Sequence, residues 1–292
     1  MNRRRAPALT AVLTLLAGWP AVAAGPSDLF YERTLVGVAG ARCKLFEPSV
    51  TAALTAAGRQ AKGAALRAGV DPDVLDAAER RAKSRGRTVP CNSKDLAVAA
   101  QRVRKGFEGY SHIRTMSFPG DSADWRADRG GEKRFSSDWR LIQTARSPSG
   151  QASFGLASVP GGEALTAVAA WPGALAASGA RLIMRDPAKA RRAYLDPRRT
   201  DLAGRTPPRT VTRSFLASER APARPALLPD GAASGAVFRF PPAAAFALEA
   251  LDPREAVVLE LIYPARTRER VETVTFEVGD FAAGRAFLSA RR

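Results

Sequence analysis

The sequence predicts an α+β fold: an N-terminal antiparallel helical bundle stapled by a disulfide, followed by a mainly antiparallel β-sandwich-like domain. Three observations predict it. Apolar residues recur at three- and four-residue steps through residues 25–115 and at alternate positions beyond residue 137. Proline and glycine punctuate the first part at helix-length intervals and the second part at strand-length intervals. The chain also holds two cysteines, Cys43 and Cys91, each at an expected helix end.

The opening text, MNRRRAPALTAVLTLLAGWPAVAAGPSD, sets Arg3, Arg4 and Arg5 before an apolar stretch and ends it in Ala21-Val22-Ala23-Ala24. A basic start, a short apolar core and an A-x-A exit describe a secretory leader over residues 1–24, cut after Ala23 or Ala24. The apolar core is about 13 residues long, against the roughly 20 that span a bilayer as a helix. The expected destination is therefore the periplasm or the exterior, with no membrane span in the mature chain. Removing the three arginines lowers the formal charge from +17 to +14.

Four helices are expected next. The first starts at Ser27-Asp28 and carries Leu29, Leu35, Val36 and Ala39 toward Cys43. Pro48-Ser49 opens the second, whose Val50, Leu54, Ala57, Ala61 and Ala65 share a face before Gly69 ends it. Asp71 caps the third, with Pro72 in its first turn, Leu75, Ala78 and Ala82 on one side, and Gly86 as its stop. Asn92 and Asp95 approximate a capping box for the fourth, striped by Leu96, Ala99, Val103, Phe107 and Tyr110.

Short connections make successive helices antiparallel, which brings the end of the first beside the start of the fourth. Cys43 and Cys91 then lie at one end of the bundle, in an oxidising compartment, and are expected to bond. A zinc site wants four ligands and the chain adds one histidine; a thioredoxin-like centre wants Cys-x-x-Cys. Neither is present.

Residues 116–136 are rich in Gly, Pro, Ser and Asp and are read as a connecting segment. Beyond them, WRLIQTA, QASFGLASV, ALTAVAAW, ARLIMR, RTVTRSFLAS, GAVFRF, AVVLELIY and ERVETVTFEV read as strands of a β-rich domain over 137–292. PPAAAFALEALD reads as a helical insertion, and GDFAAGRAFLSA as a closing helix. The text VTFEVGDFAAGRAFL, residues 274–288, is similar to the closing strand and helix of exported sandwich proteins of the invasion-associated locus B type. The likeness covers about 15 residues, implies a strand running into a helix, and carries no residue role.

No nucleophile elbow, phosphate-cradling glycine loop or zinc-protease helix occurs, so no catalytic residue, cofactor or metal is assigned. His112, the single histidine, suits the negative end of the fourth helix. Asp121, Asp124 and Asp128 do not match a calcium loop. Glu249, Asp252, Glu255 and Glu260 cluster in sequence and supply the one hydrolytic alternative, an exported carboxylate-dependent enzyme with a cleft in the β-rich domain.

Two basic concentrations stand out. RRAKSRGR places Arg80, Arg81, Lys83, Arg85 and Arg87 on the third helix. Residues 185–209 carry Arg185, Lys189, Arg191, Arg192, Arg198, Arg199, Arg205 and Arg209 against three aspartates. They are the candidate anion-binding residues of a non-catalytic envelope protein acting in binding or assembly. The expected partner is an anionic lipid, an acidic envelope polymer or another envelope protein; outside the cytoplasm nucleic acid is a poor fit.

Overall fold

The structure, a computed structural model, describes residues 25–130, 138–147, 150–170, 177–196, 201–264 and 270–290. The expected leader and both Arg198 and Arg199 lie outside the described residues. Four helices come first: α1 (Pro26–Cys43), α2 (Pro48–Arg67), α3 (Pro72–Thr88) and α4 (Lys94–His112). Proline opens α1, α2 and α3, where its missing N–H is one the helix leaves unpaired in any case. Asp71 caps α3 as expected, its carboxylate accepting the Asp73 N–H at 2.7 Å. The Asn92–Asp95 box does not form; Ser93 occupies the cap of α4 and makes no side-chain capping bond.

Gly86 also departs from expectation. It does not stop α3 but lies inside it, buried where α3 crosses α1. A β-carbon there would sit 2.8 Å from the Leu35 carbonyl oxygen and 2.9 Å from Val38 Cβ. The residue is glycine because two helices approach this closely. α1 packs along both α2 and α3, while α4 lies against α1 and α2. At one end Cys43 and Cys91 are bonded, with Cα atoms 5.7 Å apart, over a cluster of Ala39, Val89 and Leu96.

Eleven strands follow among the described residues: β1 (Thr115–Phe118), β2 (Trp125–Asp128), β3 (Trp139–Ser147), β4 (Gly150–Val159), β5 (Gly162–Ala170), β6 (Gly179–Arg185), β7 (Thr212–Leu216), β8 (Glu219–Pro222), β9 (Ala236–Arg239), β10 (Ala256–Tyr263) and β11 (Arg270–Glu277). They form two antiparallel sheets, one ordered β1-β2-β3-β4-β5-β9-β8 and the other β11-β10-β6-β7. All eight runs read as strands contain one. The stretch read as a connector, however, holds β1 and β2, and the short edge strand β8 had no separate reading.

Register explains the core. Val257 pairs with Phe276 and Leu259 with Val274, and these four side chains, with Leu261 on the same face of β10, are buried. Val271, out of phase with Val274, faces solvent. Trp125 of β2 is fully buried; its ring lies 5.1 Å from Phe281 and its indole N–H donates to the Val278 carbonyl at 2.8 Å.

Two further helices, α5 (Pro242–Glu249) and α6 (Phe281–Ser289), pack on the sheets, and the text 274–288 does run from strand into helix. α6 carries α2 on its outer side, and Ala56 of α2 joins the sandwich core.

Candidate functional site

The helical segment meets the β-rich part along a seam of arginine–carboxylate contacts. Arg67 of α2 grips Asp280 with two parallel hydrogen bonds of 2.8 and 2.9 Å. Gly63 makes the approach possible, since a β-carbon there would lie 2.0 Å from Asp280 Oδ1. Arg59 of α2 and Arg285 of α6 share Glu249. Arg254 chelates Asp252 and reaches the Leu66 carbonyl at 3.4 Å. Above this seam opens a cleft of about 660 Å³ between α2, α3, the loop after α5 and residues 186–195.

Burial and charge act in opposite directions on the central pair. Asp280 is almost fully enclosed, and desolvation raises its carboxyl above the usual range despite Arg67, with Glu277 and Asp121 adding repulsion. Burial pulls the Arg67 guanidinium down, but the hydrogen bonds and charge of Asp280 outweigh it and leave its pKa raised. The arginine therefore stays charged, and the aspartate is the strained partner.

The predicted anion-binding residues divide three ways. Arg185 is a correction: it is buried at 4% exposure and not on the surface. It pairs with the fully buried Glu255 (Nη2 to Oε2 2.9 Å) and donates to the Ala190 carbonyl at 2.6 Å. Its position at the end of β6 turns it inward under the following loop, and a guanidinium enclosed there needs a carboxylate. Arg205 is likewise spent, 2.7 Å from Asp121 and 3.7 Å from Glu277. Arg209, although exposed, sits 3.1 Å from Glu260, and Lys189 donates to the Thr212 carbonyl at 3.0 Å.

Arg191 and Arg192 are exposed at the lip of the cleft. Arg192 contacts Asp73 in the first turn of α3 at 2.5 Å, which ties residues 186–195 to the acidic start of that helix, about two turns before Arg80. The third group is α3 itself. Arg80, Arg81, Lys83, Arg85 and Arg87 are all exposed, and among the described residues only Lys83 has a carboxylate partner, Glu79 at 2.6 Å. Helical geometry sets Arg80, Lys83 and Arg87 on one flank and Arg81 and Arg85 on the other, with buried Ala78, Ala82 and Gly86 between them. The result is a basic collar around the outer half of the helix.

The acidic cluster has a different fate from the one a hydrolase needs. Glu249, Asp252, Glu255 and Glu260 each accept from arginine, Glu260 from Arg181 at 2.8 Å. Glu249 and Asp252 both line the cleft, each engaged by an arginine, whereas the buried Glu255 and Glu260 are not among its lining residues. Asp121 and Asp128 are likewise engaged, Asp128 accepting from the Gly130 N–H at 2.6 Å, and Asp124 lies 3.4 Å from the Gly120 N–H. Among the described residues no cluster of histidine, cysteine, aspartate and glutamate is arranged to hold a metal.

Sequence reasoning missed Glu277 and Asp280. Glu277 is fully buried and accepts three backbone N–H groups, from Asp121 (2.6 Å), Ser122 (2.7 Å) and Ala123 (2.9 Å). It pins the β1–β2 turn over the sheet. Strand alternation places it opposite Phe276, which reads as solvent-facing, so no pattern marks it as buried. Asp280 reads as an ordinary helix cap yet makes no capping bond. Among the described residues no helix is long and apolar enough to cross a membrane. Compared with protein-family models, curated proteins and solved structures, the chain matches none.

Proposed function

We propose that this is an exported, non-catalytic envelope protein that binds a phosphate- or carboxylate-bearing envelope component through the α3 collar, aided by Arg191 and Arg192. One observation carries the reading. Arg80, Arg81, Arg85 and Arg87 have no carboxylate partner among the described residues, whereas the interior arginines are consumed by ion pairs. A guanidinium fork suits phosphate and carboxylate. Single exposed charges bind weakly and are screened beyond about 8–10 Å at physiological salt, so a cluster is what gives useful affinity. The hydrolase alternative has less support, because its four acids are occupied by guanidinium groups.

Export is supported by the leader text and by the Cys43–Cys91 bond, which belongs to an oxidising compartment. The test uses protein recovered from the exported fraction, whose N-terminus should follow Ala23 or Ala24. It should sediment with vesicles containing phosphatidylglycerol, or bind an acidic wall polymer, and not with zwitterionic vesicles. Binding should fall steeply with salt. The combined variant Arg80→Glu, Arg81→Glu, Arg85→Glu and Arg87→Glu should lose at least about tenfold in affinity while its thermal transition is retained. A folded variant that binds as tightly as the parent refutes the collar.

A further inference from the structure

A second surface, independent of the collar, lies on the other side of the helical segment. The apolar stripe of α4 is only partly covered: Leu96 and Ala100 are buried, but Val103, Phe107 and Tyr110 are half-buried. They form one wall of an open groove of about 410 Å³, whose floor is Leu29 and Val36 of α1 and Val50, Ala53 and Leu54 of α2. That volume lies within the roughly 300–1,000 Å³ of small-molecule sites, which occur between the helices of bundles. Arg33 and Arg102 line it against a single carboxylate, Glu32.

Three features select an occupant. The groove is long and apolar, bounded on α4 from Ala99 to Tyr110, which is about 16 Å of helix. Its α4 wall is short of side chains at Gly106, where a β-carbon would meet nothing within 4 Å. The third feature is charge. Arg102 is exposed and makes no hydrogen bond or ion pair among the described residues. Arg33 spends one donor on the Ala57 carbonyl at 2.7 Å and is half-buried, and burial lowers its pKa against the opposing charge of Glu32. An anion beside these two guanidinium groups offsets charge that the groove itself leaves uncompensated.

We infer that the groove between α1, α2 and α4 binds the chain of a free single-chain anionic amphiphile, a long fatty acid or its equivalent, with the head group at Arg33 and Arg102. The chain covers Val103 and Phe107 and occupies the space beside Gly106. This is a soluble-ligand site and not a bilayer contact. It depends on chain length and head charge together, whereas the α3 collar depends on charge alone.

The experiment titrates purified protein with tetradecanoate below its micellar concentration, by calorimetry and by displacement of a fluorescent fatty acid. One equivalent should bind. Shortening the chain by two methylenes should weaken binding by about tenfold where those methylenes are buried. Tetradecanol should bind at least about tenfold more weakly, because it loses the ionic contacts. Gly106→Leu fills open space on a half-exposed wall, introduces a better helix former, and should remove binding. Arg102→Glu, at an exposed side chain with no described partner, should weaken tetradecanoate and leave tetradecanol unchanged.

Absence of saturable binding overturns the inference, and so does equal binding by Gly106→Leu. Uptake of several equivalents that ignores both substitutions shows adventitious adsorption and overturns it as well. A parent chain that is dimeric, with Gly106→Leu monomeric and fatty acid without effect, assigns the groove to a second copy instead. The four-arginine α3 variant should bind tetradecanoate like the parent, which separates failure of this site from failure of the collar.

Discussion

The Arg67–Asp280 pair should respond asymmetrically to removal of its two members. Arg67→Met leaves a carboxylate 2% exposed with no cation on it, beside Glu277 and Asp121. Breaking a buried pair in this way costs about 3–5 kcal/mol, because the remaining charge is uncompensated. Asp280→Asn removes the strained charge but keeps a carbonyl able to accept from Arg67, whose own side chain is 13% exposed and nearer water. Its cost should be about 1 kcal/mol or less.

The pH dependence follows from the sign of the Asp280 shift. Its folded pKa is raised, so the carboxyl favours the folded state most when protonated. That contribution is complete below the unfolded pKa and fades as pH rises through the folded one. Without Arg67 the carboxyl is raised further, so the penalty of Arg67→Met should shrink on acidification from about pH 7 toward about pH 5, above the ordinary aspartate range. Urea denaturation of parent and both variants at the two pH values measures this. Equal losses for the two substitutions, or a penalty for Arg67→Met that ignores pH, would refute the reasoning.

Three further outcomes are expected. Breaking the Cys43–Cys91 bond opens a loop of 48 residues, so Cys43→Ser should cost about 4 kcal/mol by loop entropy, read as a lower urea midpoint that reductant also produces in the parent. Gly86→Ala should destabilise by about 1–3 kcal/mol through its clash with Leu35 and Val38; Gly109→Ala, with nothing within 4 Å, should instead stabilise by up to about 1 kcal/mol. Burial pushes the phenols of Tyr110 and Tyr263 up to about 12, so Tyr110→Phe and Tyr263→Phe should leave the tyrosinate absorbance below about pH 11 unchanged.

Helix ends were legible where the backbone itself carries the signal. Pro48, Asp71-Pro72 and Gly69 act through restricted φ, a missing donor or a left-handed turn, and each sits where expected. Gly86 looked identical to Gly69 in the text. Its reason is another helix, which local sequence does not contain. β2 was hidden for a related cause: Trp125 and Ala127 are buried and Arg126 is exposed, a true period of two, but four residues among aspartates and glycines are too few to stand out. β8 lies at the edge of its sheet and ends in Pro222, which edge positions tolerate and strand-reading rules penalise.

Charge was the least legible property, because a pair is formed by residues that the sequence separates widely. Arg67 and Asp280 are 213 positions apart, and Arg185 and Glu255 are 70. Counted along the chain, Arg185 and Arg87 are equivalent members of basic stretches. In the fold one is an internal cation enclosed with its carboxylate and the other is exposed on α3. Salt acts differently on the two classes. Buried pairs are screened little, while exposed charges lose most of their mutual and ligand attraction within a Debye length of about 8–10 Å. The seam that holds the helical segment to the sandwich should therefore persist at ionic strengths that release an anion from α3. A salt titration followed at once by binding and by unfolding separates the arginines that build the protein from those left for a partner.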